Sequence, residues 1–541
     1  MFRKPRKRLF WRMKREIAKL KMEFAKEESS NTDLSPNLAV NLELIKKELN
    51  SSPDLIIKSF SIGSTEQDEG AIIFIDGLAD KNQIEWSILR PLMLMAERAS
   101  TKPGNGDPLE YIESSLITIG EIYRKCKFAS IIAAVLSGGT ALLINGSKEA
   151  LTIATPGWEK RGIEQPDSEV IVKGPREGFM ETLRSNTALL RRKLGNPGLT
   201  LETLQVGERS KTDICVAYLK GVADPNLIAE IKQRLQRIKT DGILSAGPLE
   251  EYIEDAPFSI FGTIGYTERP DVACAKLLEG RAAIITDGTP VVLTVPFLFI
   301  ENFQSPDDYN FKPFFGTLIR WVRYIAFWIS ILLPALFVAL TAFDQELIPT
   351  QLLITIAATN EGTPFPAVVE TLGMGLIFEI LREAGIRLPR PIGQTISFVG
   401  ALVIGEGAVS AGLVGAPVLI VISLTAIASF VTPTLVQEST IIRFSLVILA
   451  GFLGAFGITI GLLIALVHMV SLRSFGVPFS SPITPMDLRD IVQDVVVRLP
   501  RWAMLTRPES IDGQNRTRQS SNLRPQASQN RNSEDQDETL E

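Results

Sequence analysis

The spacing of hydrophobic residues along the chain changes near residue 310 and again near residue 472. Before the first change, short apolar runs alternate with helical patterns. Leu55–Phe60 and Ala71–Ile75 have the composition of strands, and Leu227–Ile238 has apolar residues at helical intervals. Between the two changes apolar residues dominate, and after them the chain becomes polar and rich in arginine. The pattern predicts an α+β soluble N-terminal region followed by an all-α transmembrane bundle.

Two segments of the N-terminal region are similar at an offset of 142 residues. Residues 138–153 and 280–295 each predict a strand, a turn and a strand, with Asn-Gly or Asp-Gly at the turn, a strong hairpin signal. We therefore predict a basic arm and linker at 1–36 and two αβ subdomains at 37–170 and 171–312; a chance similarity of two hairpins is the alternative. The identical pairs are Gly138/Gly280, Ala141/Ala283, Gly146/Gly288, Leu151/Leu293 and Thr152/Thr294.

The first membrane span is predicted at Tyr324–Phe343, a run of about 20 uncharged residues, which is long enough to cross the hydrocarbon core. Arg320 and Arg323 precede the run, whereas Asp344 and Glu346 follow it. Because positive residues stay on the cytoplasmic side, the N-terminal region is expected in the cytoplasm.

Two further apolar stretches extend the predicted transmembrane region over 313–475. Ile392–Gln437 is long enough for two spans that turn near Gly412–Pro417, and Phe444–Leu472 is predicted as one more span. Small residues are frequent in both, and the pattern Gly457-x-x-x-Gly461 lets helices approach closely, either within one chain or between identical chains. A C-terminal segment at 476–507 and a disordered polar tail at 508–541 are expected to follow.

Residues 346–391 are interrupted by prolines and glycines, so we expect a broken or re-entrant segment rather than a simple span. Irregular backbone at membrane depth is tolerated inside protein or beside water, which makes this segment a candidate gate. Carboxylates in a membrane are costly and usually face a cavity or a partner. Four spans with both ends in the cytoplasm are favoured over five. The pore and gate candidates are Asn360, Glu361, Gly362, Pro364, Pro366, Glu370, Glu379 and Glu406.

Composition argues against several other classes of protein. The 541 residues carry a net charge of −5, which implies no affinity for nucleic acid, and three cysteines and one histidine form no metal-binding pattern. Neither a phosphate-binding loop nor a nucleophile elbow is present, so no enzymatic activity, cofactor or metal is expected. The basic N-terminus lacks the apolar core of a signal peptide and is expected to be a solvated arm or a helix on anionic lipid.

A series of motifs between Ile264 and Pro433 resembles the A subunit of the GerA family of spore germinant receptors. The resemblance covers residues from about 50 to 507, and the motifs occur in order. They are Ile264–Asp271, Lys276–Arg281, Asp287–Pro290, Phe303–Tyr309, Glu361–Pro366, Leu388–Pro391 and Ile404–Pro417. A related sporulation protein, encoded with the dipicolinic-acid channel, is the alternative within the family.

The resemblance implies a multi-pass subunit in the inner membrane of the endospore, with its αβ region on the spore-core side. It also implies a transporter-like B subunit, a lipoprotein C subunit and self-association into a ring that conducts cations when germinant binds. The hypothesis is that a shift of the αβ region passes through Phe303–Phe315 to the first span. The coupling candidates are Arg281, Phe303, Gln304 and Asp307. A non-conducting scaffold and a secondary transporter are the alternative functions.

Overall fold

A computed structural model describes residues 33–62, 69–95, 108–157, 166, 169, 171–388, 403–511, 515–520 and 523–525. The predicted basic arm and the start of the span predicted from Ile392 lie outside the described residues.

The first αβ unit is an antiparallel sheet in the order β1-β2-β4-β5-β3, covered by helices on both faces. Alternate residues of β2 enter opposite cores: Ile73 packs with α1 and α4, and Ile72 packs with the helical stretch 81–95. The elements are α1 Leu38–Glu48, β1 Leu55–Ser61, β2 Glu69–Ile75, α2 Lys81–Ile84 continued by π-helical turns to Met95, α3 Pro108–Tyr111 continued to Leu116, β3 Ile122–Lys125, α4 Phe128–Leu136, β4 Thr140–Ile144 and β5 Ala150–Ile153.

The second αβ unit repeats this plan, with its antiparallel strands in the order β6-β7-β9-β10-β8. Helices α5 and α8 pack on one face, and α6 and α7 pack on the other. The elements are α5 Leu183–Lys193, β6 Leu199–Val206, β7 Thr212–Leu219, α6 Pro225–Arg237, α7 Ala246–Ile253, β8 Gly265–Thr267, α8 Pro270–Glu279, β9 Ala282–Thr286 and β10 Val292–Val295.

The two similar hairpins occupy equivalent positions in the two sheets. Thr140 pairs with Ile153 in the first, and the residues 142 positions later, Ala282 and Val295, pair in the second. The turn residues also have equivalent roles, because the Asn145 side chain accepts a hydrogen bond from the first amide of α1 (3.2 Å) and Asp287 accepts one from the first amide of α5 (2.9 Å). The turn thus satisfies an amide that the helix itself leaves without a partner. The exact subdomain boundaries stay predictions.

A buried ion pair joins the two αβ units. Arg191 on α5 donates to Asp54 at 2.8 Å and to Ser52 at 2.9 Å, and a third N–H reaches the carbonyl of Leu199. Arg191 is 1% exposed and Asp54 is 2% exposed. Since a buried charge without its partner is strongly unfavourable, this pair fixes the units against each other.

The helical bundle begins at α10 and is linked to the second αβ unit by a short helical segment. Two of the described helical stretches are long and apolar enough to cross a membrane, Pro313–Ala342 and Pro433–Ser471. The elements are a 3-10 turn Phe299–Phe303, α9 Pro306–Asn310, α10 Pro313–Ala342, a 3-10 turn Gln345–Leu347, α11 Thr350–Asn360, α12 Ala367–Arg387, a helical segment 403–410, α13 Ala416–Val431, a 3-10 turn Pro433–Leu435 and α14 Val436–Ser471.

The prediction of one straight span at Phe444–Leu472 is wrong, because α14 reverses direction at Gly454. Gly454 has φ 58° and ψ −143°, outside any helical region. A Cβ atom placed on Gly457 would lie 2.2 Å from the Leu449 carbonyl oxygen, and one on Gly461 would lie 2.5 Å from Leu446. In a continuous helix these residues would be more than ~10 Å apart along the axis. Residues 436–453 and 455–471 are therefore antiparallel arms, and Gly457 and Gly461 let them pack closely within one chain.

Both ends of this hairpin lie beside the αβ region, and its tip lies at the far end of the bundle. Thr434 donates to the carbonyl of Asn302 at 3.2 Å, and His468 lies 2.9 Å from the Ser259 hydroxyl. At the tip, Asp344 after α10 accepts a hydrogen bond from the amide of Ala455 at 3.2 Å. The second arm thus returns the chain to the side from which α10 departs.

The predicted break at 360–366 is confirmed, since α11 ends at Asn360 and α12 begins at Ala367. Helix α12 itself is continuous and runs antiparallel to the first arm of the hairpin, with Gly451 against Val368 and Gly375 against Phe444. Its 21 residues extend about 31 Å. Glu370 and Glu379 of α12 have partners inside the bundle, whereas Glu383 and Arg387 pair with each other on its exposed face.

The segment after the bundle folds back onto the second αβ unit. It comprises β11 Arg473–Ser474, β12 Val477–Pro478, α15 Leu488–Asp490 continued by a π-helical turn to Val495, and a 3-10 turn Arg501–Ala503. Arg507 donates to the carbonyl of Leu278 at 2.6 Å, and Arg518 pairs with Glu279 at 2.5 Å. Described residues on both sides of position 508 therefore contact the second αβ unit, and the disordered tail expected at 508–541 stays a prediction.

Candidate functional site

The αβ region, the first long apolar helix α10 and the C-terminal segment meet at Arg320, which is fully buried on α10. Its guanidinium lies 3.3 Å from Asp308 of α9 and 3.1 Å from Asp494 of the C-terminal segment, and it also donates to the backbone carbonyl of Asp494. Arg323 binds both carboxylate oxygens of Asp308 at 2.8 Å. A buried guanidinium with two carboxylates holds three parts of the chain in one geometry. We call this group the junction.

Tyr309 completes the junction. Its hydroxyl donates to Asp494 at 2.7 Å, and the guanidinium groups of Arg320, Arg498 and Arg501 lie 5.9, 5.7 and 5.3 Å from its ring centre. Burial and the neighbouring carboxylate of Asp494 raise the pKa of Tyr309 well above its usual value. Burial also raises the pKa of Asp494, although Arg320 opposes that shift.

Two of the four coupling candidates, Phe303 and Gln304, touch the junction directly. The Phe303 ring lies 4.8 Å from Tyr324 and 5.3 Å from Phe327 on α10, and its carbonyl accepts from Arg323. Gln304 donates to the Asp494 carbonyl at 3.0 Å. The predicted path from Phe303 to the first span is thus a continuous set of contacts.

Arg281 lies one layer further into the second αβ unit. It pairs with Glu301 and donates to the Pro296 carbonyl at 2.7 Å, while Lys276 holds the other Glu301 oxygen at 3.1 Å. Burial alone would raise the pKa of Glu301, but Arg281 and Lys276 outweigh burial and lower it. Arg281, Gln304 and Asp494 line a cavity of ≈ 60 Å³, which has room for a few water molecules and is too small for a nutrient.

Asp307 has a different role from the other coupling candidates. Its carboxylate accepts hydrogen bonds from the backbone amides of Val172 (3.1 Å) and Lys173 (3.2 Å). It therefore anchors the segment between the two αβ units to α9.

At the far end of the bundle, Glu370 joins the break to the turn before α13. The carboxylate is 4% exposed and accepts a hydrogen bond from the amide of Gly415 at 3.0 Å. That amide belongs to the N-terminus of α13, where the helix dipole favours a negative charge. The two loops also touch at Gly362 and Gly412, where a Cβ on Gly412 would lie 3.3 Å from the Gly362 carbonyl oxygen.

Glu379 lies nearer the αβ end of the bundle, between two arginines. It pairs with Arg382 on its own helix at 2.5 Å and with Arg443 on the first arm of the hairpin, which is 3% exposed. The sequence prediction of a gate carboxylate missed these partners because Arg443 is 64 positions away.

The remaining pore candidates lie on the surface of the single chain. Glu361, Gly362, Pro364 and Pro366 in the break are exposed, and so is Glu406 in the helical segment 403–410. Asn360 is the last residue of α11. The structure thus brings Glu370 and the break together.

A family model described as "Bacillus/Clostridium GerA spore germination protein" matches residues 43–510. This chain belongs to the GerA family. "Spore germination protein KA" of Bacillus subtilis is 42% identical over 92% of this chain and 91% of its own length. "Spore germination protein GerLA" of Bacillus cereus is 37% identical over 90% of this chain and 98% of its own length.

A solved structure is also similar to this GerA-family chain. It is the crystal structure of the N-terminal domain of the A subunit of the Bacillus megaterium spore germinant receptor GerK3. The two are 32% identical, and the match covers 50% of this chain and 98% of that one, with a TM-score of 0.41.

Sequence reasoning about this GerA-family chain missed the residues that carry the junction. Asp308 lies inside the Phe303–Tyr309 motif, where two adjacent aspartates followed by a tyrosine are a pattern that could have marked it as a candidate. Asp494 gave none, because it is 174 positions from Arg320 and lies in a mainly apolar stretch, Ile491–Val497. Contacts of this kind are visible only once the C-terminal segment folds back.

Proposed function

We propose that this chain is a membrane subunit of a nutrient germinant receptor that triggers spore germination. We further propose that copies of it assemble into a ligand-gated cation channel in the inner membrane of the endospore. Membership of the GerA family supports the first part. The αβ region lies on the cytoplasmic side in this proposal, and a transporter-like B subunit and a lipoprotein C subunit are its partners.

The observation that carries the mechanism is the buried contact of Arg320 with Asp308 and Asp494. A displacement of α9 by the αβ region cannot leave α10 in place without separating buried opposite charges, which costs about 3–5 kcal/mol. A displacement of α9 therefore moves the first membrane helix, α10, as well.

The gate in this proposal is the break at 360–366 with its bond from Gly415 to Glu370. Because Asp344 ties α10 to the tip of the hairpin and Val368 packs on Gly451, a shift of α10 reaches α12 at the far end of the bundle. Release of the Glu370 carboxylate would then free an anionic group beside the irregular backbone, which raises the local concentration of cations.

The test is ion flux through the chain reconstituted in liposomes with and without its partner subunits. We expect nutrient-dependent flux from the complex, a weaker response from Arg320→Met, and an unchanged response from Arg516→Met, whose side chain is 48% exposed. Glu370→Gln should change the conductance, whereas Glu383→Gln, on the exposed face of α12, should not.

Three results would count against the proposal. Silence from a properly assembled complex would favour a non-conducting scaffold. Flux that depends on a counter-gradient and saturates with substrate would favour a secondary transporter. An unchanged nutrient response in Arg320→Met, with normal assembly, would remove the junction from the signalling path.

A further inference from the structure

The junction carries more positive charge than its carboxylates balance. Arg320 and Arg323 of α10 contact the carboxylates of Asp308 and Asp494, and Arg498 and Arg501 of the C-terminal segment lie beside the Tyr309 ring. Both carboxylates are already bound by Arg320 and Arg323. Arg498 and Arg501 therefore share a surplus of positive charge within 6 Å of one ring centre.

One of these arginines is buried with an unused donor. Arg498 is 4% exposed and donates to the Tyr309 carbonyl at 3.0 Å, but its Nε atom is buried without a hydrogen-bond partner among the described residues. The charged and polar groups acting on it are Arg501, Tyr309, Asp494 and Arg320. A buried guanidinium N–H normally has an acceptor, so an anionic oxygen beside Arg498 would complete its hydrogen bonding.

The surface beside these arginines has the character of a membrane interface. Phe314, Leu318 and Trp321 are 89, 58 and 49% exposed on one face of α10, and the same face continues as Ile325 and Trp328 into the predicted span. The C-terminal segment lies against α10 here, since Trp321 donates to the Val496 carbonyl at 2.8 Å and the Arg498 amide donates to the Thr317 hydroxyl at 3.0 Å. In the same segment Arg501 is exposed and Trp502 is 39% exposed. Aromatic residues and arginine at the end of a span are typical of the headgroup level of a bilayer.

We propose that Arg498 and Arg501 bind the phosphate of an anionic phospholipid in the leaflet on the side of the αβ region. The phosphate supplies acceptor oxygens to the surplus guanidinium groups, and the acyl chains lie against the exposed face of α10. This inference rests on the membrane location in the proposed function but not on channel activity. A bound lipid would touch the same Tyr309 that holds Asp494, so it would stabilise the junction.

The test uses the full chain in detergent and measures lipid binding by native mass spectrometry, with phosphatidylglycerol and phosphatidylcholine added separately. We expect a preference for phosphatidylglycerol that falls about tenfold in Arg501→Gln, since a charge-assisted hydrogen bond is lost. Arg516→Gln removes the same charge from an exposed ion pair with Glu509 and should keep the preference. Arg501→Gln is the decisive variant, because Arg498→Gln also removes a hydrogen bond to the Tyr309 carbonyl. The melting temperature of Arg501→Gln in phosphatidylcholine should equal that of the wild type.

Several outcomes would overturn the inference. One is equal binding of phosphatidylglycerol and phosphatidylcholine by the wild type. Another is an equal loss of the preference for phosphatidylglycerol in Arg501→Gln and Arg516→Gln. Displacement of bound phosphatidylglycerol by millimolar inorganic phosphate would assign the site to a free anion. A loss of self-association in Arg501→Gln with unchanged lipid preference would assign the face to a second copy of the chain. A chain that binds phosphatidylglycerol as expected, but conducts no ions in a properly assembled complex, would leave this inference standing and refute the channel.

Discussion

The reversal of α14 at Gly454 can be tested by adding one methyl group. In Gly454→Ala the new Cβ would lie 2.9 Å from the Cβ of Phe343 and 3.1 Å from its Cγ, at the tip where the two arms and α10 meet. The backbone at φ 58° and ψ −143° belongs to glycine, and an alanine there costs about 1–3 kcal/mol. The overlap with Phe343 adds a similar cost, because it involves the Cβ and Cγ atoms, which are held close to the backbone.

Together these terms predict a loss of about 2–4 kcal/mol, which is on the order of 10 °C in melting temperature for a bundle of this size. The assay is thermal unfolding of the full chain in detergent, followed by size-exclusion chromatography with fluorescence detection. Gly373→Ala is the matched control, because a Cβ at Gly373, in the middle of α12, meets nothing within 4 Å. It should be neutral or stabilise by up to ~1 kcal/mol. Equal melting temperatures for Gly454→Ala and the wild type would refute the reversal.

Three further predictions follow from the geometry. Arg191→Met leaves the buried carboxylate of Asp54 without its partner and should cost about 3–5 kcal/mol in chemical unfolding, and a further Asp54→Leu exchange should recover most of it. The lowered pKa of Glu301 means that its contribution is present above about pH 4.3 and is lost as the pH falls through the lowered value, so the stability difference from Glu301→Gln should shrink in acid. Single cysteines in place of Thr434 and Arg473 should react with an impermeant thiol reagent from the same side of sealed vesicles, and labelling from opposite sides would contradict the hairpin.

The local sequence pattern was sufficient to predict the two hairpins of the αβ region and the break between α11 and α12. The 142-residue offset between the hairpins is a property of residues near each other in sequence, and β9 and β10 lie where it predicts them from β4 and β5. The prolines and glycines at 361–366 end one helix and begin the next because they remove hydrogen bonds locally.

Local pattern was not sufficient where a residue's role depends on a distant partner. The apolar run at Phe444–Leu472 is compatible with one span or with two short arms. Glycine is common within membrane helices, so the sequence did not mark Gly454 as a reversal. Likewise, the charges on α12 did not predict a helix that packs inside the bundle. Arg443 offsets the cost of burying Glu379, but only after the two helices pack together.

The sequence by itself determined the class of the protein: its family, its αβ half and its apolar helical half, the internal repeat and the break. These follow from composition, spacing and motifs, which act over a few residues or a few turns of helix. Tertiary structure decided that the hairpin returns to the αβ region, that Glu370 bonds to Gly415, and that Arg320 joins Asp308 to Asp494. The physical reason is that a buried charge is stable only beside its counterion, and the identity of that counterion is set by the fold and not by position along the chain.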